Sequence, residues 1–394
     1  MINTKYFSQK NIVDPIKKGV IGLLLMLVPF LSAAQDTSNV GDTSHLRVIK
    51  DTSRLRIVFA GDMMGHMPLV SSTYNDSLKT YNYSPIFTYI KPFISSADLA
   101  VVNLEVTLAG PPFSGYPQFS SPDALANCLK EIGFNVLITA NNHSLDRRKK
   151  GVERTITVLD SLQILHTGTF KDSVEKNRSY PLIVNKNNIS VAFLNYTYGT
   201  NGIQVQSPNI INYIDTAEIR KDIKKCQGKV DFIIVTTHWG VEYERFPNNE
   251  QRKLADFIRK CGANAIVGSH PHVIQPLQKI YNVKDSSDYI PVLYSLGNFV
   301  SNQRDRYTNG GIIYELDLEK VISTKIKSYG YLPVWVFKGI IDGKTSYRLI
   351  PRTFYEDAVK SCHMDAQSKQ DCQEFFKDTN QHLQNMVEII SNKL

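Results

Sequence analysis

The chain has 394 residues, 42% of them hydrophobic and 21% charged, which is a globular composition with length enough for a large core. Of the formal charge of +8, the first 34 residues carry +3, four lysines against Asp14. The remainder is modest for so long a chain and gives no basic stripe, so nucleic acid is excluded as the expected partner.

The N-terminus reads as an export signal. A basic stretch ends at Lys17-Lys18, Gly19–Leu31 is an apolar run too short to span a bilayer, and Ser32-Ala33-Ala34 offers a cleavage site before Gln35. An uncleaved anchor is the alternative. Residues 35–53 are polar and aperiodic, as in a linker. No later run reaches the length of a membrane span, so an exported protein of periplasm, cell surface or medium is expected. The five cysteines are odd in number and lack zinc-cluster spacing. Cys226 with Cys261, and Cys362 with Cys372, are conceivable pairs, but buried free thiols are the simpler reading.

Strand and helix then alternate. Leu55–Ala60 predicts a strand ending in Gly61-Asp62, and Pro85–Ile94 a helix. Leu99–Leu104 predicts a strand ending at Glu105, and Pro122–Ile132 a helix with Ser121 as N-cap. Val136–Ala140 leads to Asn141-Asn142-His143, and Gly151–Leu162 predicts a helix. Tyr180–Val184 and Ile189–Asn195 form a hairpin, followed by helix Thr216–Cys226. Strand Phe232–Thr237 ends in His238-Trp239-Gly240, and helix Asn249–Cys261 leads into strand Ala265–Val267. Gly268 is expected to break that strand before His270-Pro271-His272. In an extended segment these two imidazoles point the same way. Strands follow at Val292–Leu296, Ile312–Leu318, Val334–Gly339 and Ser346–Ile350, and from Tyr355 to Leu394 the pattern turns helical, with an incomplete apolar stripe. The alternation predicts α/β layers.

Five strand ends therefore carry residues able to bind metal or move protons: Asp62, Glu105, Asn142 with His143, His238, and His270 with His272. In one parallel sheet they share an edge, where α/β sheets keep their sites. Mixed imidazole and carboxylate donors are the chemistry of a metal centre. Trp239 serves either as a ligand wall or as packing. Glu242 and Glu244 suit metal, substrate amines or plain solvent. Asn298 tightens a turn after Gly297, and Arg147–Lys150 is either an attractor of anionic polymer or a solvated helix start.

Gly61-Asp62, Asn103-Leu104-Glu105, Ala140-Asn141-Asn142-His143, His238-Trp239-Gly240-Val241-Glu242-Tyr243, Gly268-Ser269-His270-Pro271-His272-Val273 and Tyr294-Ser295-Leu296-Gly297-Asn298-Phe299 together resemble the successive motifs of the CapA family, named for poly-gamma-glutamate capsule biosynthesis. That family is similar in fold to the calcineurin-like metallophosphoesterases. The resemblance implies a layered α/β sandwich over residues 54–352; the helical extension at 353–394 lies outside it. It implies one or two divalent ions (Mn, Fe, Zn or Mg). Asp62 and His272 would hold one, Asn142, His238 and His270 the other, and Glu105 both. His143 would be general acid. From the residues themselves, Trp239, Glu242 and Asn298 are the candidates for contact with substrate. The implied partners are an anionic envelope polymer or phosphoester and membrane-bound synthesis or export proteins. One departure stands out. The metallophosphoesterases carry Asp-x-His at the first strand end, but here Met63 and Met64 follow Asp62, with His66 the nearest imidazole. Two function classes follow from this: a metal-dependent hydrolase, or a non-catalytic polymer-binding subunit of a synthesis complex.

Overall fold

Along β1 (Ser53–Met63) both residue sets, Leu55, Ile57 and Phe59 on one side and Val58 and Ala60 on the other, are buried. A strand apolar on both faces must lie inside a sheet covered on both faces. The computed structural model describes residues 51–282 and 285–384. The export segment, nearly all of the linker, and Met386, Val387 and Ile390 of the C-terminal stripe lie outside the described residues.

The first sheet takes β1, β2 (Leu99–Leu104) and β3 (Val136–Ile138) in parallel, with Leu165–Thr167 at its edge. The second takes β4 (Ile189–Thr197), β5 (Phe232–His238), β6 (Ala265–Ser269) and β7 (Asp285–Leu296) in parallel. Leu182–Lys186 and Ile274–Asn282 pair antiparallel at its two edges. The chain then returns to the first sheet. On the side of β1 away from β2, Asn298–Val300 pairs with its end in parallel and β8 (Gly310–Lys320) lies antiparallel along the rest, followed by Thr324–Ile341 and Lys344–Pro351.

One core joins the inner faces of the two sheets, with Ile57, Phe59 and Val101 against Val191, Ile234 and Val267. A second joins the first sheet to helix Ala124–Ile132, and a third joins the second sheet to helices Thr216–Cys226 and Asn249–Cys261. The result is a four-layer α/β/β/α sandwich. Helix Asn249–Cys261 begins at a capping box between Asn248 and Gln251, typically worth about 1 kcal/mol. The helical tail is present as Tyr355–Ser361 and Ala366–His382, which seat Phe375 and Phe376 on the inter-sheet core.

Several expectations change. The five strand ends do not share one sheet: Asp62, Glu105 and Asn142 belong to the first, and His238, His270 and His272 to the second. Residues 85–94 split into a 3-10 turn at Ser84–Phe87 and a short helix at Lys91–Ser95, each with a proline in its first turn. Pro92 lacks the N–H that would continue one helix through this region. Helix Ala124–Ile132 starts after Asp123, and Ser121 is buried ahead of it instead of capping it. Gly268 does not break β6. It stays in the strand because a Cβ there would lie 2.0 Å from the Tyr294 carbonyl oxygen and 2.4 Å from Trp239 Nε1. All five cysteines are free.

Candidate metal centre

Gly61 is where the site begins. A Cβ at this position would stand 1.9 Å from the Gly297 carbonyl oxygen, so only glycine lets the two segments meet. The Asp62 amide donates to that same carbonyl at 3.1 Å, and Asp62 pairs in register with Asn298. Its carboxylate is fully buried. Asn103, inside the apolar strand β2, donates from Nδ2 to Asp62 Oδ1 at 2.8 Å and lies 3.3 Å from Glu105 Oε2. Its Oδ1 accepts from Asn141 at 3.2 Å. One carboxamide thus ties together the ends of β1, β2 and β3. The sequence reading gave Asn103 no role. The signal was there, since an amide in the middle of Leu-Ala-Val-Val-Asn-Leu is costly to bury unless it is used.

From the second sheet, His238 Nε2 lies 2.9 Å from Asn142 Oδ1 and 3.6 Å from Glu105 Oε1. His270 and His272 do not sit in extended backbone. Their φ values are 101° and 58°, so the i, i+2 argument fails and a bent loop presents both rings instead. The bend lets the His270 amide reach Asp62 Oδ2 at 3.3 Å. His272 Nδ1 stands 3.2 Å from Asp62 Oδ2 and 3.1 Å from Asn298 Oδ1, and its Nε2 is 3.9 Å from Glu105 Oε1. Ring centroids are 4.8 Å apart for His238 and His270, and 6.0 Å for His270 and His272.

Burial governs the charges here. It lowers the imidazole of His238 well below the ordinary histidine value and that of His270 to about 3, with the neighbouring imidazoles adding to the effect. Both are neutral, the form that binds metal. Burial, then the adjacent Asp62, holds the Glu105 carboxyl well above its usual range. For Asp62 burial pushes upward, but hydrogen bonds from His272 and Asn103 and the charge of the histidines bring it below the usual value.

Buried Glu105 Oε1 and His270 Nδ1 have no hydrogen-bond partner. Such orphans are expensive unless another group satisfies them. Donor atoms of Asp62, Glu105 and His272 lie within 4.8 Å of one another, as do those of Glu105, His238 and His270, so Glu105 belongs to both sets. The orphaned atoms and the mixed imidazole and carboxylate donors fit divalent metal.

His143 stands beside this cluster. Its Nδ1 is 2.7 Å from Asp146 Oδ2, which also accepts the Phe119 amide at 2.6 Å, and the Phe119 ring meets the imidazole edge-on at 4.6 Å. Asp146 was missed from sequence, although it lies three residues beyond His143. His143 and Asp146 line a cleft of about 400 Å³ with Asn142, Asn201, Gln118 and the exposed Glu242. Trp239 is 2% exposed and donates to the Tyr294 carbonyl, so it packs in the core against β7. Asn298 acts from behind, on His272 and on the Thr308 carbonyl. Met63 and Met64 are core residues. His66 packs its ring against Phe119, and its Nδ1 accepts the Asn302 amide at 3.3 Å.

The structure is a four-layer α/β/β/α sandwich in which imidazole and carboxylate groups able to hold divalent metal converge from the strand ends of both inner sheets. The profile of the family described as "Bacterial capsule synthesis protein PGA_cap" matches residues 56–303, and the chain belongs to that family. It is 28% identical over 303 residues to "Capsule biosynthesis protein CapA" of Bacillus anthracis, covering 72% of this chain and 68% of that one. It is 29% identical over 253 residues to "PGA biosynthesis protein CapA" of Bacillus subtilis (strain 168), covering 60% of this chain and 61% of that one. Among solved structures it is similar to a 5'-nucleotidase from Candida albicans, at TM-score 0.38 and 12% identity, over 83% of this chain and 57% of the other. That score lies below the level at which two folds count as the same.

Proposed function

We propose that the protein is an exported member of its family whose centre, of the calcineurin-like metallophosphoesterase type, holds one or two divalent ions (Mn, Fe, Zn or Mg). It hydrolyses a phosphoester or a linkage of an anionic envelope polymer of the poly-gamma-glutamate type, alongside membrane-bound synthesis or export proteins. The observation that carries this reading is the pair of donor sets sharing Glu105, with the His143–Asp146 pair beside them.

In this reading Asp62 and His272 would hold one ion, Asn142, His238 and His270 the other, with Glu105 available to both. Bound ions lower the pKa of water and neutralise charge developing on the reacting centre. The chain's own residues do the rest. Asp146 accepts the Nδ1 proton of His143 and fixes the ring, leaving Nε2 to deliver a proton to the departing oxygen. Phe119 shields that ring from water. Asn103 holds the two carboxylates in place.

The test is metal analysis of the purified mature protein, with turnover of a generic phosphoester measured with and without Mn²⁺. Turnover that depends on Mn²⁺ is expected, and a protein with neither metal nor turnover would overturn the reading. N-terminal sequencing from the native host is expected to begin at Gln35. A second reading, a non-catalytic polymer-binding subunit, is favoured by Met64, a core thioether where the metallophosphoesterases carry an imidazole. Bound metal without turnover of phosphoesters or glutamyl amides would select it.

A further inference from the structure

The loop after β5 brings a further carboxylate to the imidazoles. Trp239 anchors it in the core. Gly240, at φ 92°, lies so close to the Gln251 side chain that a Cβ would sit 2.8 Å from it. Tyr243, at φ 68°, donates its amide to the Pro271 carbonyl at 2.8 Å, which ties this loop to the His270–His272 bend. Glu242 is held between these anchors. An oxygen of its carboxylate and ring nitrogens of His270 and His272 lie within 4.8 Å of one another.

We propose that Glu242 is a ligand of the ion shared by Asp62, Glu105 and His272, entering from the solvent side and supplying the donor that the first strand lacks. This rests on the metal-centre reading above. The first strand end offers Asp62 and then two core methionines, so the Asp62–Glu105–His272 set has three donors. Glu242 shares His272 with that set and His270 with the Glu105–His238–His270 set; it falls to the former because the latter has Asn142 beside His238 as a fourth donor and the former has none. Charge agrees. Asp62 and Glu105 balance the charge of one divalent ion, and Glu242 adds a third carboxylate toward a second. Glu242 is exposed, so it leaves and rejoins the ion at little desolvation cost, and this ion is the exchangeable one.

The experiment is calorimetric titration of metal-free protein with Mn²⁺, using wild type, Glu242→Gln, Glu242→Ala and, as control, the exposed neighbour Glu244→Ala. Thermal melts of the metal-free proteins confirm folding. Both Glu242 variants should weaken the weaker-binding ion at least about tenfold, the size seen when a metal site loses a supporting group. They should leave the tighter ion unchanged, and Glu244→Ala should match wild type. If wild type binds a single ion, that ion should weaken by the same factor. Affinities unchanged in the Glu242 variants would overturn this assignment and leave the metal centre standing. Equal losses at Glu242 and Glu244 would reduce the effect to long-range charge and also overturn it. A wild type that takes up no Mn²⁺ would overturn the metal centre and this ligand together.

Discussion

His143 and Asp146 form a pair that touches the cleft without belonging to either donor set. Replacing His143 by Ala should leave metal content nearly intact and lower turnover by about 10²–10⁴-fold, the usual worth of a general acid. Asp146→Asn keeps an acceptor oxygen but removes the charge that fixes the ring's orientation and tautomer, and its loss should be smaller. Both losses should shrink on substrates with good leaving groups, which depart without a proton. A panel of phosphoesters of graded leaving-group pKa, run on the three proteins, reads this out; a uniform loss across the panel would make the pair structural. The donors themselves were legible in the sequence because each ends an apolar run. Asn103 and Asp146 were not, because their roles depend on which strand ends meet, and spacing along the chain does not encode that. Trp239 was left open between two readings, and burial decides it.

The elements were legible where periodicity was long, as in Thr216–Cys226 and Asn249–Cys261, whose observed ends match the expected ones. They were less so where close approach overrides local preference. Gly268 was read as a breaker, yet its missing side chain is what lets β6 pack on β7 and Trp239. Strand Ile274–Asn282 was not anticipated at all, since Pro276 and polar residues interrupt its pattern; it sits at a sheet edge, where proline is tolerated. The contact between Gly61 and Gly297 gives the test at this scale. Gly61→Ala forces a methyl group into a carbonyl 1.9 Å away. Overpacking of this kind costs about 1–3 kcal/mol, and the backbone neighbour leaves no flexible tip to give way. Urea unfolding should show a loss of that size, with weaker metal binding because Asp62 shifts; an unchanged midpoint would mean the strand end is slack.

Across the whole molecule, the burial of four imidazoles sets the response to acid. His66 is lowered by burial to about 4, His270 to about 3, His238 lies well below the ordinary value, and burial lowers His382 too. The unfolded chain takes up these protons near pH 6.5, so the stability contributed by neutral imidazoles is full above that pH and is lost as pH falls toward the folded values. Glu105 has the opposite sign, because its raised carboxyl favours the folded state at low pH and loses that contribution as pH rises. Four groups outnumber one, so the urea midpoint of metal-free protein should fall between about pH 7 and pH 5. A flat or rising midpoint would show that the imidazoles are not held neutral. Alternation along the chain was enough to read layers. The division into two sheets was not legible, because a parallel strand's neighbours are set by the crossover's route and not by its own residues.

That division has a consequence for biogenesis. Asp62, Glu105, Asn142 and His143 all leave the ribosome well before His238, His270 and His272, and β1 waits for β8 at residues 310–320 to cover its flank. A nascent chain halted near residue 230 would hold two carboxylates and an amide but none of the three imidazoles that face them. On the metal-centre reading, ion capture is therefore a late event in the life of the polypeptide. It reports that both halves of the sandwich have been made and have closed on each other.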